Sequence, residues 1–137
     1  MNEIILNKKI SIERCIAQVR AYYVMESGKP FEQDYLKQDA IGMNLQRMSE
    51  LTIDIANYLI KNRKLGLPQD SADAFALLHR AGLIPAGMME NMKGMVGFRN
   101  VLVHEYKKLD VAVMVDVIER HLHDPLDFAS LALEAGK

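Results

Sequence analysis

The chain has 137 residues, of which 50% are hydrophobic and 26% charged, with 17 Lys and Arg against 18 Asp and Glu. That balance is typical of one soluble globular domain with a core, and we predict a single domain over residues 1–137. It excludes a disordered chain, and no uncharged apolar run approaches the roughly 20 residues that a membrane span requires. The net charge of −1 argues against a protein that coats duplex nucleic acid through its overall field, because phosphate neutralisation needs a basic excess.

The N-terminal residues and the cysteine content both indicate the cytoplasm. Charges at Glu3, Lys8 and Lys9 interrupt the apolar residues at the start of the chain, so a secretory signal is not expected. The lone Cys15 has no partner for an internal disulfide and fits a reducing compartment. We therefore predict a cytoplasmic protein that has no membrane segment.

Apolar residues recur at helical spacing along almost the whole chain, and Gly and Pro fall between the periodic segments. The predicted helices cover approximately residues 2–27, 34–64, 71–79, 85–103, 111–123 and 125–135. Gly28 is the expected left-handed cap of the first helix, Pro85 opens the fourth, and Asp110 caps the fifth. Because no alternating strand pattern is present, the predicted fold is all-α, an up-and-down bundle of four to five helices.

Two of these helices carry more apolar surface than one small bundle encloses. Met88, Met92 and Met95 form a stripe on the fourth helix, and residues 111–118 are apolar on nearly every face. A homodimer that covers the extra face is one interpretation, since a helix that is apolar all round is normally buried on all sides. The alternative is a methionine-filled core within a single chain. We predict the homodimer.

The end of the fourth helix concentrates polar chemistry, with Arg99, Asn100, His104 and Tyr106 within eight residues. Arg is a fixed cation whose fork fits phosphate oxygens, and His exchanges a proton near neutral pH. Together they can deprotonate a sugar 2′-hydroxyl and stabilise the charge on an RNA phosphate without a metal. In a straight helix Arg99 and His104 point about 140° apart, so they converge only if the helix ends or kinks near Val103. The alternative is a surface cation followed by a histidine that interacts with the helix C-terminus.

The segment Arg99-Asn-Val-Leu-Val-His104-Glu-Tyr106 resembles the R-x4-H-x-Y signature of the HEPN superfamily, in the form carried by HepT-type toxins. The segment from Asp39 to Glu50, which reads DAIGMNLQRMSE, is similar to the second-helix segment of that family. The resemblance extends over residues 5–125. It implies a metal-independent endoribonuclease, the toxin of a type II toxin–antitoxin pair, acting as a homodimer whose two motifs line one cleft.

The resemblance also implies a role for each residue of the motif. His104 is the expected general acid/base, Arg99 is expected to hold the scissile phosphate, and Asn100 to support it. Tyr106 matches the tyrosine that receives AMP from the partner antitoxin, a MntA-like nucleotidyltransferase. Such an adduct adds bulk and negative charge where the RNA phosphate must lie. Neither a cofactor nor a metal ion is implied.

Four residues near the motif keep two interpretations each. Lys107 and Lys108 either guide RNA at the mouth of the cleft or are solvated lysines of a loop. Asp39 and Glu50 are eleven positions apart and share one face of the second helix. They either steady Arg99 or the motif histidine across the bundle or are solvated.

A second class of function also fits the sequence. In this alternative the chain is a non-catalytic helical subunit of a nucleotidyltransferase, and the motif binds a nucleotide or the partner protein. The acidic balance and the lack of an evident basic track for RNA favour it. The two hypotheses differ in one outcome, because only the first predicts RNA cleavage.

Overall fold

A computed structural model describes residues 2–136 of the chain. The α-helices are α1 (Glu3–Tyr23), α2 (Tyr35–Arg63), α3 (Ser71–Arg80), α4 (Ala86–His104), α5 (Val111–Asp116) and α6 (Asp124–Ala135). Short 3₁₀ turns lie at Phe31–Gln33 and Tyr106–Lys108, and a π-helical turn at Val117–His121 continues α5. No strand occurs among these residues, and the predicted all-α fold class is confirmed, with six α-helices of which α3 and α5 are short.

Local capping signals set most helix ends within a residue or two of their predicted positions. Asp34, Asp70 and Asp110 each accept a hydrogen bond from a backbone N–H in the first turn of α2, α3 and α5. Lys64 ends α2 in the left-handed conformation, with φ 54°. The sequence predicts Pro85 as the first residue of α4, but Pro85 is the N-cap and the helix begins at Ala86.

The first helix is shorter than its sequence pattern predicts. α1 ends at Tyr23, and Val24 rather than Gly28 occupies the C-cap. Val24 and Met25 are 75% and 57% exposed, so continuing the helix would bury nothing further. Gly28 does adopt a positive φ of 74°, but in the loop that leads to α2. The left-handed residue therefore serves the loop and not the helix end.

Helix α2 is the centre of the bundle and packs against α1, α3, α4 and α6. The buried apolar side chains of these elements join into one cluster. From the methionine stripe of α4, Met92 is fully buried, while Met88 and Met95 are only partly buried against the core. On α5, Met114 is fully buried but Val113 is 45% exposed. Within the part of the chain described, no helix has the length and apolar character that crossing a bilayer requires.

Candidate functional site

One side of α2 carries four residues that face the end of α4, namely Asp39, Gly42, Gln46 and Glu50. Their spacing of three or four positions stacks them along the helix, and we call this row the α2 polar face. Glu50 Oε1 accepts a hydrogen bond from Gln46 Nε2 at 3.1 Å. The prediction that Asp39 and Glu50 share a face is confirmed, and each of them contacts a residue of the motif segment.

Arg99 lies on α4 and extends towards the α2 polar face. Arg99 Nε is 3.9 Å from Glu50 Oε1, and Arg99 Nη1 donates a hydrogen bond to Asn100 Oδ1 at 2.9 Å. The side chain is 24% exposed, and its Nε is buried without a hydrogen bond. The link to Glu50 is therefore an attraction between charges and not a hydrogen bond. Glu50 and Asn100 therefore both lie beside the guanidinium, while the Glu50 side chain remains 44% exposed.

His104 is the last residue of α4, and its side chain is exposed. The chain stays α-helical from Arg99 to His104, and five residues of helix direct the two side chains about 140° apart. The expected break near Val103 comes after His104 instead. Within one chain the guanidinium and the imidazole therefore do not converge, because the turn follows the histidine and cannot redirect it.

The turn brings Tyr106 against α2 in place of His104. Glu105 ends α4 with φ −138°, and Tyr106–Lys108 forms a 3₁₀ turn. Tyr106 Oη donates a hydrogen bond of 2.5 Å to Asp39 Oδ1. Burial, this hydrogen bond and the charge of Asp39 raise the pKa of Tyr106 to about 12. The phenol therefore stays protonated at neutral pH, although the residue is 40% exposed.

Lys107 and Lys108 extend into solvent from the same turn. Lys108 Nζ lies 3.5 Å from Glu105 Oε2, which partly offsets its charge. Lys107 has no ion pair or hydrogen bond with any described residue. Residues 103–108 together line one open groove, so both lysines border the same surface as the exposed imidazole of His104.

Gly42 and Gln46 belong to this site but were not identified from the sequence as site residues. An ideal Cβ at Gly42 would lie 3.9 Å from Tyr106 Cε1 and 3.6 Å from Leu102 Cδ2, at ordinary van der Waals distances, so Gly42 lies at the contact between α2 and the turn. Gln46 orients Glu50. The available signal was the three-to-four spacing that joins both residues to Asp39 and Glu50 on one helix face.

Two histidines outside the motif have carboxylate partners. His121 Nδ1 lies 2.8 Å from Asp124 Oδ2, and His123 Nδ1 lies 2.7 Å from Asp127 Oδ1. By contrast, the His104 imidazole has no partner among residues 2–136. Over the same residues, no three His, Cys, Asp or Glu side chains group in a way that could hold a metal ion.

Comparison with known proteins gives a family match over most of the chain. Residues 12–131 match the family described as ribonuclease HepT-like. The chain is 44% identical over 124 residues to the mRNA nuclease HepT of Shewanella oneidensis, a match that covers 90% of this chain and 92% of that protein.

Solved structures give the same result for the fold. The tri-AMPylated HEPN toxin of Shewanella oneidensis, in complex with the MNT antitoxin, superposes with a TM-score of 0.89 at 41% identity, over 98% of this chain and 99% of that one. A toxin–antitoxin crystal structure with AMP-PNP gives a TM-score of 0.88 at 40% identity, over 96% of this chain and 99% of that one. The family and the enzyme class that the motif predicts are confirmed: the chain belongs to the ribonuclease HepT-like family.

Proposed function

We propose that this chain is the toxin of a toxin–antitoxin pair and that it cleaves RNA without a metal ion, with Arg99 and His104 as catalytic residues. The family and the mRNA nuclease activity named for its Shewanella relative support this proposal. One observation carries it. A guanidinium is held in place by Glu50 and Asn100, and an exposed imidazole nearby in the chain has no partner of its own in the described structure.

In the proposed reaction His104 accepts the proton of a ribose 2′-hydroxyl. The 2′-oxygen attacks the adjacent phosphorus, the bond to the 5′-oxygen breaks, and a 2′,3′-cyclic phosphate forms. Arg99 binds the phosphate oxygens and neutralises the charge that develops on them in the transition state. Asn100 supports this step because its Oδ1 accepts a hydrogen bond from Arg99 Nη1, which orients the guanidinium. Lys107 and Lys108 guide the RNA along the groove by attracting its phosphates.

The active form in this proposal is a homodimer, because one chain directs Arg99 and His104 away from each other. Two copies related by a two-fold axis combine the guanidinium of one with the imidazole of the other, and the second imidazole protonates the leaving oxygen. Exposed apolar side chains near the motif support such an interface: Val103 is 41% and Val113 is 45% exposed. A largely apolar cavity of about 230 Å³, bordered by Met95 and Val113, lies between α2, α4 and the segment after α5.

We further propose that a MntA-like nucleotidyltransferase antitoxin neutralises the toxin by attaching AMP to Tyr106. The relative solved in complex with its MNT antitoxin is tri-AMPylated, which supports a modification of this kind. Tyr106 and His104 border the same open groove. A phosphodiester on the phenol adds a negative charge and the bulk of a nucleotide beside the imidazole, and both oppose the binding of RNA.

RNA cleavage in excess EDTA tests the catalytic assignment. Wild-type protein, purified free of AMP, is compared with His104→Ala and with the matched control His123→Ala, since His123 is an exposed histidine outside the groove. We expect His104→Ala to lose at least about a hundredfold in rate, because general acid–base catalysis contributes on that scale, while the control cleaves as wild type does.

Two results would contradict the assignment. Equal rates for His104→Ala and wild type remove His104 from the mechanism. If unmodified wild type cleaves none of a varied set of RNAs, the non-catalytic subunit becomes the better description of the chain.

A further inference from the structure

The hydroxyl of Tyr106 meets one carboxylate, and that carboxylate belongs to this chain. Tyr106 Oη donates a hydrogen bond of 2.5 Å to Asp39 Oδ1. The other nearby acids are engaged by cations, since Glu50 lies beside Arg99 and Glu105 beside Lys108. Asp39 has no ion pair with any residue of the described structure. Its charge is therefore free to act on the phenol.

We propose that Asp39 is the general base for the transfer of AMP to Tyr106, so that the toxin supplies a catalytic residue for its own neutralisation. This inference rests on the proposed function, in which Tyr106 is the acceptor. The antitoxin then needs to bring only the nucleoside triphosphate and to hold its α-phosphate beside a phenol that is already paired with a base.

ATP is the co-reactant of this step and supplies the AMP group. The Tyr106 oxygen attacks the α-phosphorus and forms an O–P bond, while its proton moves to Asp39 Oδ1. The bond from the α-phosphorus to the bridging oxygen breaks, and pyrophosphate leaves with the electron pair. Asp39 afterwards returns the proton to water, because the ester oxygen of the product can no longer donate a hydrogen bond to it.

The acidity of the phenol explains why a base is needed. With a pKa of about 12, only about one Tyr106 side chain in 100,000 is ionised at pH 7. Asp39 itself contributes to that high pKa, since a carboxylate next to a phenolate disfavours the anion. The proton can therefore move to Asp39 only as the new O–P bond takes up the negative charge, which is the situation in which general-base catalysis is effective.

The surroundings of the hydroxyl leave room for a nucleotide. Asp39 and Tyr106 border an open groove together with Gly42, Gln46 and Leu102. Gly42 has no side chain to narrow the groove beside the Tyr106 ring. The pair is thus accessible to an antitoxin from the solvent side, with the base already in hydrogen-bond contact with the nucleophile.

The experiment measures AMP transfer to Tyr106 by mass spectrometry, with the full-length chain, its cognate antitoxin and ATP. The variants are Asp39→Asn, which keeps the shape of the side chain but cannot take a proton at neutral pH, and Asp39→Glu, which keeps a carboxylate. Asp54→Asn is the matched control, since Asp54 is an exposed aspartate of α2 that pairs with Lys8. Circular dichroism establishes that each variant is folded.

We expect Asp39→Asn to lower kcat for transfer by about a hundredfold or more, with KM for the toxin changed by less than about threefold. The ratio of its rate to the wild-type rate should rise about tenfold per pH unit between roughly pH 6 and 9, because the variant depends on the small tyrosinate fraction. Because both rates are measured with the same antitoxin, the effect of pH on the antitoxin cancels in this ratio. Asp39→Glu should recover most of the lost rate, and Asp54→Asn should match wild type.

Several results would overturn the inference. If Asp39→Asn modifies Tyr106 at the wild-type rate, Asp39 is not a base. If its rate falls but the ratio stays constant with pH, Asp39 only positions the ring. Transfer that persists in Tyr106→Phe removes the acceptor itself and with it the inference. This last outcome is distinct from the first two, in which Tyr106 still carries the AMP.

Discussion

Two residues of the candidate site, Arg99 and Tyr106, each contact a carboxylate of α2. Glu50 lies beside the Arg99 guanidinium, and Asp39 accepts the hydrogen bond of Tyr106. The two contacts have different consequences. The first places a carboxylate beside a permanent cation, whereas the second gives a phenol an acceptor for its hydrogen bond and raises its pKa.

The raised pKa of Tyr106 can be measured by ultraviolet titration. Subtracting the ultraviolet titration of Tyr106→Phe from that of wild type isolates the ionisation of this phenol, for which we expect a midpoint of about 12. In Asp39→Asn the midpoint should move down towards the ordinary value of about 10, because the negative charge of the carboxylate is lost while the burial remains. An unchanged midpoint in Asp39→Asn would contradict this account of the shift.

The raised pKa of Tyr106 also makes the free energy of unfolding depend on pH in the alkaline range. The folded chain holds the Tyr106 proton to a higher pH than the unfolded chain does. The free energy of unfolding should therefore fall as the pH rises from about 10 to about 12, and this term should be constant below that range. The loss should be smaller in Asp39→Asn, and denaturant unfolding at several alkaline pH values measures it.

At the scale of the helices, the sequence predicts those ends that depend on local capping. Asp34, Asp70 and Asp110 are short polar side chains that bond to the first turn of their own helix, so the information lies within a few residues. The end of α1 could not be predicted this way. It depends on what the bundle leaves to bury after Tyr23, which is a property of the packed chain.

The N-cap of α5 should contribute measurably to the stability of the fold. Asp110 Oδ1 accepts a hydrogen bond from the Ala112 N–H at 2.9 Å. Removing this bond in Asp110→Ala should lower the free energy of unfolding by about 1 kcal/mol, and Asp110→Asn should retain most of it because Asn also caps helices well. Urea unfolding curves of the three proteins measure the difference. Identical midpoints for Asp110→Ala and wild type would show that α5 does not depend on its cap.

The sequence places Arg99, Asn100, His104 and Tyr106 together in the chain, but it does not determine how their side chains are arranged in space. The structure pairs Arg99 with Glu50 and Tyr106 with Asp39 across the bundle, and directs His104 elsewhere. Contacts between α2 and the α4 segment join residues about fifty to seventy positions apart, and no local pattern encodes which atoms meet. That is why the sequence identified Asp39 and Glu50 as neighbours on one face but could not assign their partners.

The net charge of the whole chain, −1, must be reconciled with the proposed RNA substrate. The overall field does not attract a polyanion, so binding has to depend on local cations. Arg99, Lys107 and Lys108 supply them around one end of α4. In the proposed dimer two such ends combine, which doubles the local positive charge without changing the balance elsewhere.

The proposed dimer gives a prediction at the same scale. Val113→Asp puts a charge on an apolar side chain that is 45% exposed in the single chain, so it should leave the fold intact but cost too much desolvation at the interface. Sedimentation equilibrium should show dimeric wild type and a monomeric variant, with RNA cleavage lost along with the dimer. Leu67→Asp is the control, because Leu67 is 93% exposed in the loop between α2 and α3. A dimer that persists in Val113→Asp would exclude this face.

The identity of the cleavage product shows whether the ribose 2′-hydroxyl is the nucleophile. In excess EDTA, an RNA labelled at one end is cut by unmodified wild type, and the new ends are analysed beside a substrate with a 2′-deoxy sugar at the cut position. We expect a 2′,3′-cyclic phosphate from the RNA and no cleavage at the deoxy position, because in the proposed reaction the 2′-hydroxyl is the nucleophile that His104 deprotonates. Cleavage at the deoxy position, or a requirement for added metal ion, would contradict the proposed mechanism.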